Sequence, residues 1–150
     1  MSDIKLSVII PAYKFCYYID QAVLSALWQK TDFEFEVLVR DDFSPDETQT
    51  VLEKVANRNP RLKYFKATEN WGFMKNIQFL LNNAQGKYIA YLDGDDYYVF
   101  QDKLQRAFDF LEENAKPENR SYQYDLAMPD RRRSPFLPSI LSGFQLDALH

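Results

Sequence analysis

Residues 88–100 read YIAYLDGDDYYVF. Tyr88 to Leu92 are strand formers, and the run breaks into three carboxylates within four positions: Asp93, Asp95 and Asp96. Charges of one sign this close repel. A turn or a helix cap accounts well for any one of them, because Gly and Asp favour both. It accounts less well for three together. A divalent cation would offset the repulsion, since hard ions such as Mg²⁺ and Mn²⁺ take carboxylate and phosphate oxygens together. Gly94 would then remove a side chain where a ligand comes close.

Upstream, the same grammar repeats. Leu6 to Ile10 (LSVII) predicts a buried strand closed by Pro11. Ile19, Ala22, Val23, Ala26 and Leu27 fall at helical spacing. Glu36 to Arg40 (EVLVR) predicts a second strand running into Asp41 and Asp42. In Ser44-Pro45-Asp46-Glu47, Ser44 is set to cap a helix, with Pro45 at its first position and Glu47 reaching back. Val51, Leu52, Val55 and Ala56 make that helix's apolar face. Leu62 to Phe65 is a short third strand. Phe73 to Ala84 predicts a helix ended by Gly86, with Ile77, Leu80, Leu81 and Ala84 inward. Downstream, Lys103 to Asn114 predicts a helix with Leu104, Ala107, Phe108 and Leu111 inward.

Strand alternates with helix throughout, which implies an α/β fold: a mainly parallel sheet with helices on both faces. Ligands of such sheets sit at the carboxyl ends of the strands. The polar clusters fall there: Tyr13 after the first strand, Asp41 and Asp42 after the second, Asp93 to Asp96 after the fourth. Tyr13 is either a base-stacking ring or one more core aromatic. Asp42 either begins a turn or accepts from a nucleobase or ribose. Lys75 is either a surface lysine or a phosphate contact near a helix N-terminus that favours anions.

The bulk properties narrow the class. A chain of 150 residues fits one domain with a real core. A net charge of −4 argues against a nucleic-acid surface. The lone Cys16 excludes an internal disulfide and a multi-cysteine zinc site, and His150, at the last position, makes a poor partner for it. Only four glycines are present, and neither G-x-G-x-x-G nor G-x-x-x-x-G-K-[ST] occurs. A bound nucleotide would thus be held through metal and carboxylate instead of a glycine cradle. The N-terminus does not read as a signal peptide, and no run approaches a membrane span. The expected setting is cytoplasmic, with peripheral attachment at the inner face of a membrane left open.

Taken in order, SVIIPAY (7–13), EVLVRDDFSPDET (36–48), ENWGFMKN (69–76), GKYIAYLDGDDYY (86–98) and DKLQRAFDFLEEN (102–114) resemble the family 2 glycosyltransferases of the GT-A fold. The resemblance implies a nucleotide-diphosphate sugar donor, UDP-, GDP- or dTDP-linked, and a saccharide or lipid-linked acceptor, mostly in cell-surface polysaccharide synthesis with inversion at the sugar carbon. It implies that Pro11, Ala12 and Tyr13 line the base pocket, that Asp42 contacts the base, and that Lys75 lies near the donor. Asp93-Gly94-Asp95 maps onto the D-x-D motif: Asp93 toward ribose, and Asp95 or the adjoining Asp96 on Mn²⁺ or Mg²⁺. Two residues depart from the family pattern: Lys14 stands where Asn is usual, and Arg40 where an apolar residue or Asp is.

The pattern breaks near Lys116. Residues 1–116 are expected to form the nucleotide-sugar-binding domain, and 117–150 a divergent or truncated segment. The latter holds four of the seven prolines and the run Arg131-Arg132-Arg133. Of Glu118, Asp125, Asp130 and Asp147, none matches the family's general base. A pocket that binds the donor without turnover is therefore the alternative to a complete transferase. A phospho-receiver domain fits poorly, because the acids follow the wrong strands.

Overall fold

The computed structural model describes residues 3–114. Residues 115–150 lie outside it, and with them Arg131–Arg133 and the four acids just named. The described chain alternates β1 (Leu6–Ala12), α1 (Ile19–Leu27), β2 (Phe35–Asp41), α2 (Thr48–Arg58), β3 (Leu62–Lys66), α3 (Phe73–Asn83), β4 (Tyr88–Tyr91) and α4 (Lys103–Asn114). The sheet runs β3-β2-β1-β4, every pair parallel. Its order reverses at β1, whose partners are β2 on one side and β4 on the other. No helix among the described residues is long and apolar enough to cross a membrane.

Period-two alternation divides the sheet between two cores. Leu6, Val8, Ile10, Val37, Val39 and Ala90 pack on one face against Ile19, Ala22, Val23 and Ala26 of α1, Leu52 of α2 and Leu104 and Ala107 of α4. On the other face Ile9 and Leu38 meet Ile77 and Leu80 of α3. The second core is thinner, and β2 flanks it with charge: Glu36 and Arg40 share the face of Leu38.

Glu36 closes the amino end of the sheet. Its carboxylate accepts from the Ser7 hydroxyl at 2.6 Å and the Gln85 N–H at 2.7 Å, and pairs with the Lys63 ammonium. Burial disfavours its charge, but Lys63, Ser7 and Gln85 outweigh that and hold its pKa below the ordinary carboxylate value.

Three local expectations give way. Pro11 does not close β1, which runs on to Ala12. The Ile9 carbonyl accepts from Leu92 on the β4 side, and the Ala12 carbonyl accepts from Asp42 on the β2 side. By alternation the Pro11 nitrogen faces the β4 side, where pairing has already ended at Ile9↔Tyr91. A missing donor is harmless there. Second, Ser44 caps no helix: α2 starts at Thr48, and its N-cap Glu47 makes no side-chain cap bond. Asp46 takes the capping role instead, accepting from the Thr48 N–H at 3.0 Å. Third, Gly86 is no left-handed cap, since Gly72 is the glycine with positive φ among those described. The Gly86 N–H donates to the Ser7 hydroxyl at 2.8 Å, and a Cβ there would sit 2.5 Å from the Ser7 nitrogen. Close approach to β1 requires it.

Candidate functional site

Three strand ends meet at the point where the sheet order reverses. At the end of β1, Pro11 and Ala12 are buried, while the Tyr13 ring is 41% exposed. Lys14 follows at φ 62°, a left-handed conformation that is uncommon outside Gly, Asn and Asp. Its ammonium lies 5.2 Å from the Tyr13 ring centroid. Asn, the residue usual here, would tolerate that backbone better than Lys does. The loop is tied to the end of β2: the Lys14 N–H donates to the Ser44 hydroxyl at 2.8 Å and the Phe15 N–H to the Thr48 hydroxyl at 2.9 Å. Ser44 in turn donates its N–H to Asp41 at 2.8 Å. Phe43, also left-handed at φ 61°, is half exposed beside them.

Asp42 is buried at 3% exposure. Its N–H donates to the Ala12 carbonyl at 2.8 Å, which joins it directly to the Pro11-Ala12-Tyr13 segment. Its carboxylate accepts from Arg40 and from the Trp71 and Gly72 N–H groups at 2.8, 2.9 and 2.8 Å. The turn before α3 is thus folded over Asp42, and Asn70 adds a bond to the Asp42 carbonyl at 2.9 Å. Gly72, at φ 85°, leads into the helix. Lys75 is exposed on the first turn of α3. No bond among the described residues links it to Asp42 or to the acids after β4.

After β4, one oxygen from each of Asp93, Asp95 and Asp96 lies within 4.8 Å of the others. Asp93 is half buried and the other two are exposed. The Asp96 N–H donates to the Asp93 carbonyl at 3.1 Å, closing a turn. Tyr91 donates its hydroxyl to Asp93. Burial first, then that bond and the three nearby carboxylates, push the Tyr91 phenol well above its ordinary pKa, so it stays a donor. An all-carboxylate oxygen set of this size fits a hard divalent cation. Gly94 has a packing reason that the sequence did not show: it is buried, and a Cβ there would sit 2.5 Å from the Phe15 ring and 3.1 Å from Ile19. The glycine lets the acidic turn pack against Phe15 and Ile19.

Cys16 is half buried, and desolvation and Asp46 raise its pKa, so it is a poor nucleophile. The residues that sequence reading gave no role are Arg40, Tyr91 and Trp71. Arg40 left two signals: a charge in an apolar strand, two positions from Leu38 and so on the same face, and a departure from the family pattern.

The chain matches the family described as Glycosyl transferase family 2 over residues 7–132. It is 34% identical over 110 residues to TuaG of Bacillus subtilis, a protein named as a teichuronic acid biosynthesis glycosyltransferase; the match covers 73% of this chain and 43% of TuaG. Among solved structures, TarS 1-349 of S. aureus in complex with UDP-GlcNAc matches with a TM-score of 0.62 and 36% identity, covering 73% of this chain and 32% of that one. The mannosyltransferase PcManGT of Pyrobaculum calidifontis, in complex with GDP-Man and Mn²⁺, matches with a TM-score of 0.66 and 25% identity, covering 78% and 34%. The chain spans less than half the length of the curated relatives it matches. It belongs to glycosyl transferase family 2, and its fold is the α/β arrangement of the GT-A glycosyltransferases.

Proposed function

We propose that this member of glycosyl transferase family 2 forms the donor site of an enzyme that moves a sugar from a nucleotide diphosphate to an acceptor hydroxyl. The observation that carries the reading is the convergence, where the sheet order reverses, of an exposed aromatic, a buried acid and three clustered carboxylates. The donors named with TarS and PcManGT support a nucleotide-diphosphate sugar, and the name of TuaG supports a cell-surface polysaccharide as product.

In this reading Tyr13 offers its exposed ring to the base, with Pro11 and Ala12 as the wall beneath. Asp42 accepts from a base N–H with a lone pair that its protein donors leave over, since a carboxylate has about four acceptor sites. Lys75 and the α3 N-terminus face the phosphates. Asp93, its orientation fixed by Tyr91, contacts ribose, and Asp95 and Asp96 hold Mn²⁺ or Mg²⁺. The metal, when bound, supplies Lewis-acid stabilisation of the leaving diphosphate. Transfer inverts the sugar carbon, and the general base is assigned to no described residue.

A second reading, donor binding without turnover, draws on the chain's span of less than half of its relatives. Calorimetric titration with UDP, GDP and dTDP, each with and without Mn²⁺, tests the site. Metal-dependent binding of at least one nucleotide is expected, and binding of none would overturn both readings. Transfer or hydrolysis of the matching nucleotide sugar by the chain then removes the second.

A further inference from the structure

Arg40, Asp42 and Asn76 are 2%, 3% and 2% exposed at the carboxyl end of the sheet. The Arg40 guanidinium donates through one nitrogen to Asp42 Oδ1 at 2.8 Å and to Asn76 Oδ1 at 3.0 Å. Asn76 returns a bond to the Arg40 carbonyl at 3.2 Å. The guanidinium carbon lies over the Trp71 ring, 3.8 Å from its centroid. Trp71 and Gly72 are also the residues whose N–H groups grip Asp42. Arg40 thus holds the turn from the side-chain side, while Asp42 holds it from the backbone side.

A buried ion pair adds little net stability over apolar packing of the same volume. What it does supply is a single geometry. Without the guanidinium, the Asp42 side chain loses its charged partner, and the Trp71 ring keeps its bond to Glu69 and its contact with Phe79 but loses the cation it lies against. A lysine restores the charge but not the planar guanidinium over Trp71, nor a nitrogen held rigidly between Asp42 and Asn76.

We infer that Arg40 is a positioning residue of the donor site: it locks Asp42 and the Asn70–Gly72 turn into one rigid wall, and through Asp42 it sets nucleotide affinity. The inference rests on the donor-site reading above.

The test uses the 150-residue chain, its Arg40→Lys variant, Asp42→Asn and the double variant. Hydrogen exchange reads the wall directly, without nucleotide. In Arg40→Lys the Trp71 and Gly72 amides should exchange at least about tenfold faster, while amides of the β1–β2 ladder stay protected. Calorimetry then reads affinity for whichever of UDP, GDP or dTDP the wild type binds with Mn²⁺. Arg40→Lys should weaken it about tenfold or more, the scale of losing a residue that orients a ligand-contacting group. In the Asp42→Asn background the same change should cost less than about twofold, because residues acting through one another are not additive. Unchanged exchange at Trp71 and Gly72 overturns the inference, as does wild-type affinity in a folded Arg40→Lys, or losses that multiply in the double variant. If Arg40→Lys does not fold, Trp71→Leu, at a half-exposed position, removes the Arg40 contact together with the Glu69 hydrogen bond and the Phe79 ring contact, and Glu69→Gln serves as its control; Trp71→Leu, and not Glu69→Gln, carries the same expectations. A wild-type chain that binds none of the three nucleotides overturns the donor-site reading, a result independent of the exchange measurement.

Discussion

The two ends of β2 carry opposite charges and meet opposite fates. At the amino end, Glu36 is the centre of a closed network: hydroxyl, amide and ammonium all converge on it, and the bonds serve the fold. At the carboxyl end, Arg40 is one member of a layered arrangement. Beyond it lie Asp42, an exposed tyrosine and three carboxylates gathered within 4.8 Å. The same strand, with Leu38 packed midway, thus separates a network closed on itself from a buried network that backs an exposed tyrosine and carboxylates. Damage at the first end should appear as lost stability, and damage at the second as lost binding.

The largest effect expected is at the carboxyl end. Asp95→Asn should lower Mn²⁺-dependent nucleotide affinity by more than the roughly 100-fold that loss of an outer-shell metal partner costs. Its thermal midpoint should stay within a few degrees of wild type. Calorimetry and a melting curve on the same sample check both halves. Next is Glu36→Ala, which strips three donors of their acceptor and should cost roughly 2–3 kcal/mol in urea unfolding. If it weakened nucleotide binding in the folded protein, the separation of the two ends would fail. Gly86→Ala forces a Cβ against the β1 backbone and should cost about 1–3 kcal/mol by the same measurement, again without loss of affinity.

The amino end should also respond to pH. Glu36 has a folded pKa below its unfolded value. Its contribution is therefore present above the unfolded pKa, near 4.3, and is lost as pH falls through the lower, folded pKa. The stability gap between wild type and Glu36→Gln should be constant from about pH 7 to 5 and close below about pH 4. A gap that widened in acid would reverse the sign assigned here. The smallest effect is at Lys14. Lys14→Gly relieves a left-handed backbone while freeing the unfolded chain, and the two nearly offset, leaving a change within about 1 kcal/mol.

What the sequence disclosed follows a simple division. Ile19, Ala22, Val23 and Ala26, or Leu104, Ala107 and Leu111, repeat at helical spacing, and each of those helices buries those residues. The strands, the parallel sheet and the convergence of Tyr13, Asp42 and Asp93–Asp96 were legible from periodicity plus the rule for strand ends. The local pattern misled wherever a residue's partner is distant in the chain. Ser44 had the spacing of a helix cap, but Asp41 and the Lys14 N–H claim it. Gly86 and Gly94 had the look of a helix stop and a ligand approach, and both are set by contacts made across the fold. Arg40 was visible as an oddity in an apolar strand and as a departure from the family pattern, but not in its role, because its meaning depends on Trp71 and Asn76.

The place of β1 between β2 and β4 has a consequence in time. Ser7 reaches 29 residues along the chain to Glu36 and 79 to Gly86. Parallel pairs cannot zip from a hairpin, and closing a longer loop costs more entropy before any contact repays it. The β1–β2 ladder should therefore assemble first and accept β4 afterwards. The step that brings Asp93, Asp95 and Asp96 to Tyr13 is then among the last of folding, so a nascent chain would carry its acids well away from that aromatic. Pulse-labelled exchange during refolding would show this as protection of Leu38 and Arg40, whose N–H groups face β1, ahead of Gly86 and Leu92. The reverse order would mean that β4, with its acidic turn, seeds the sheet.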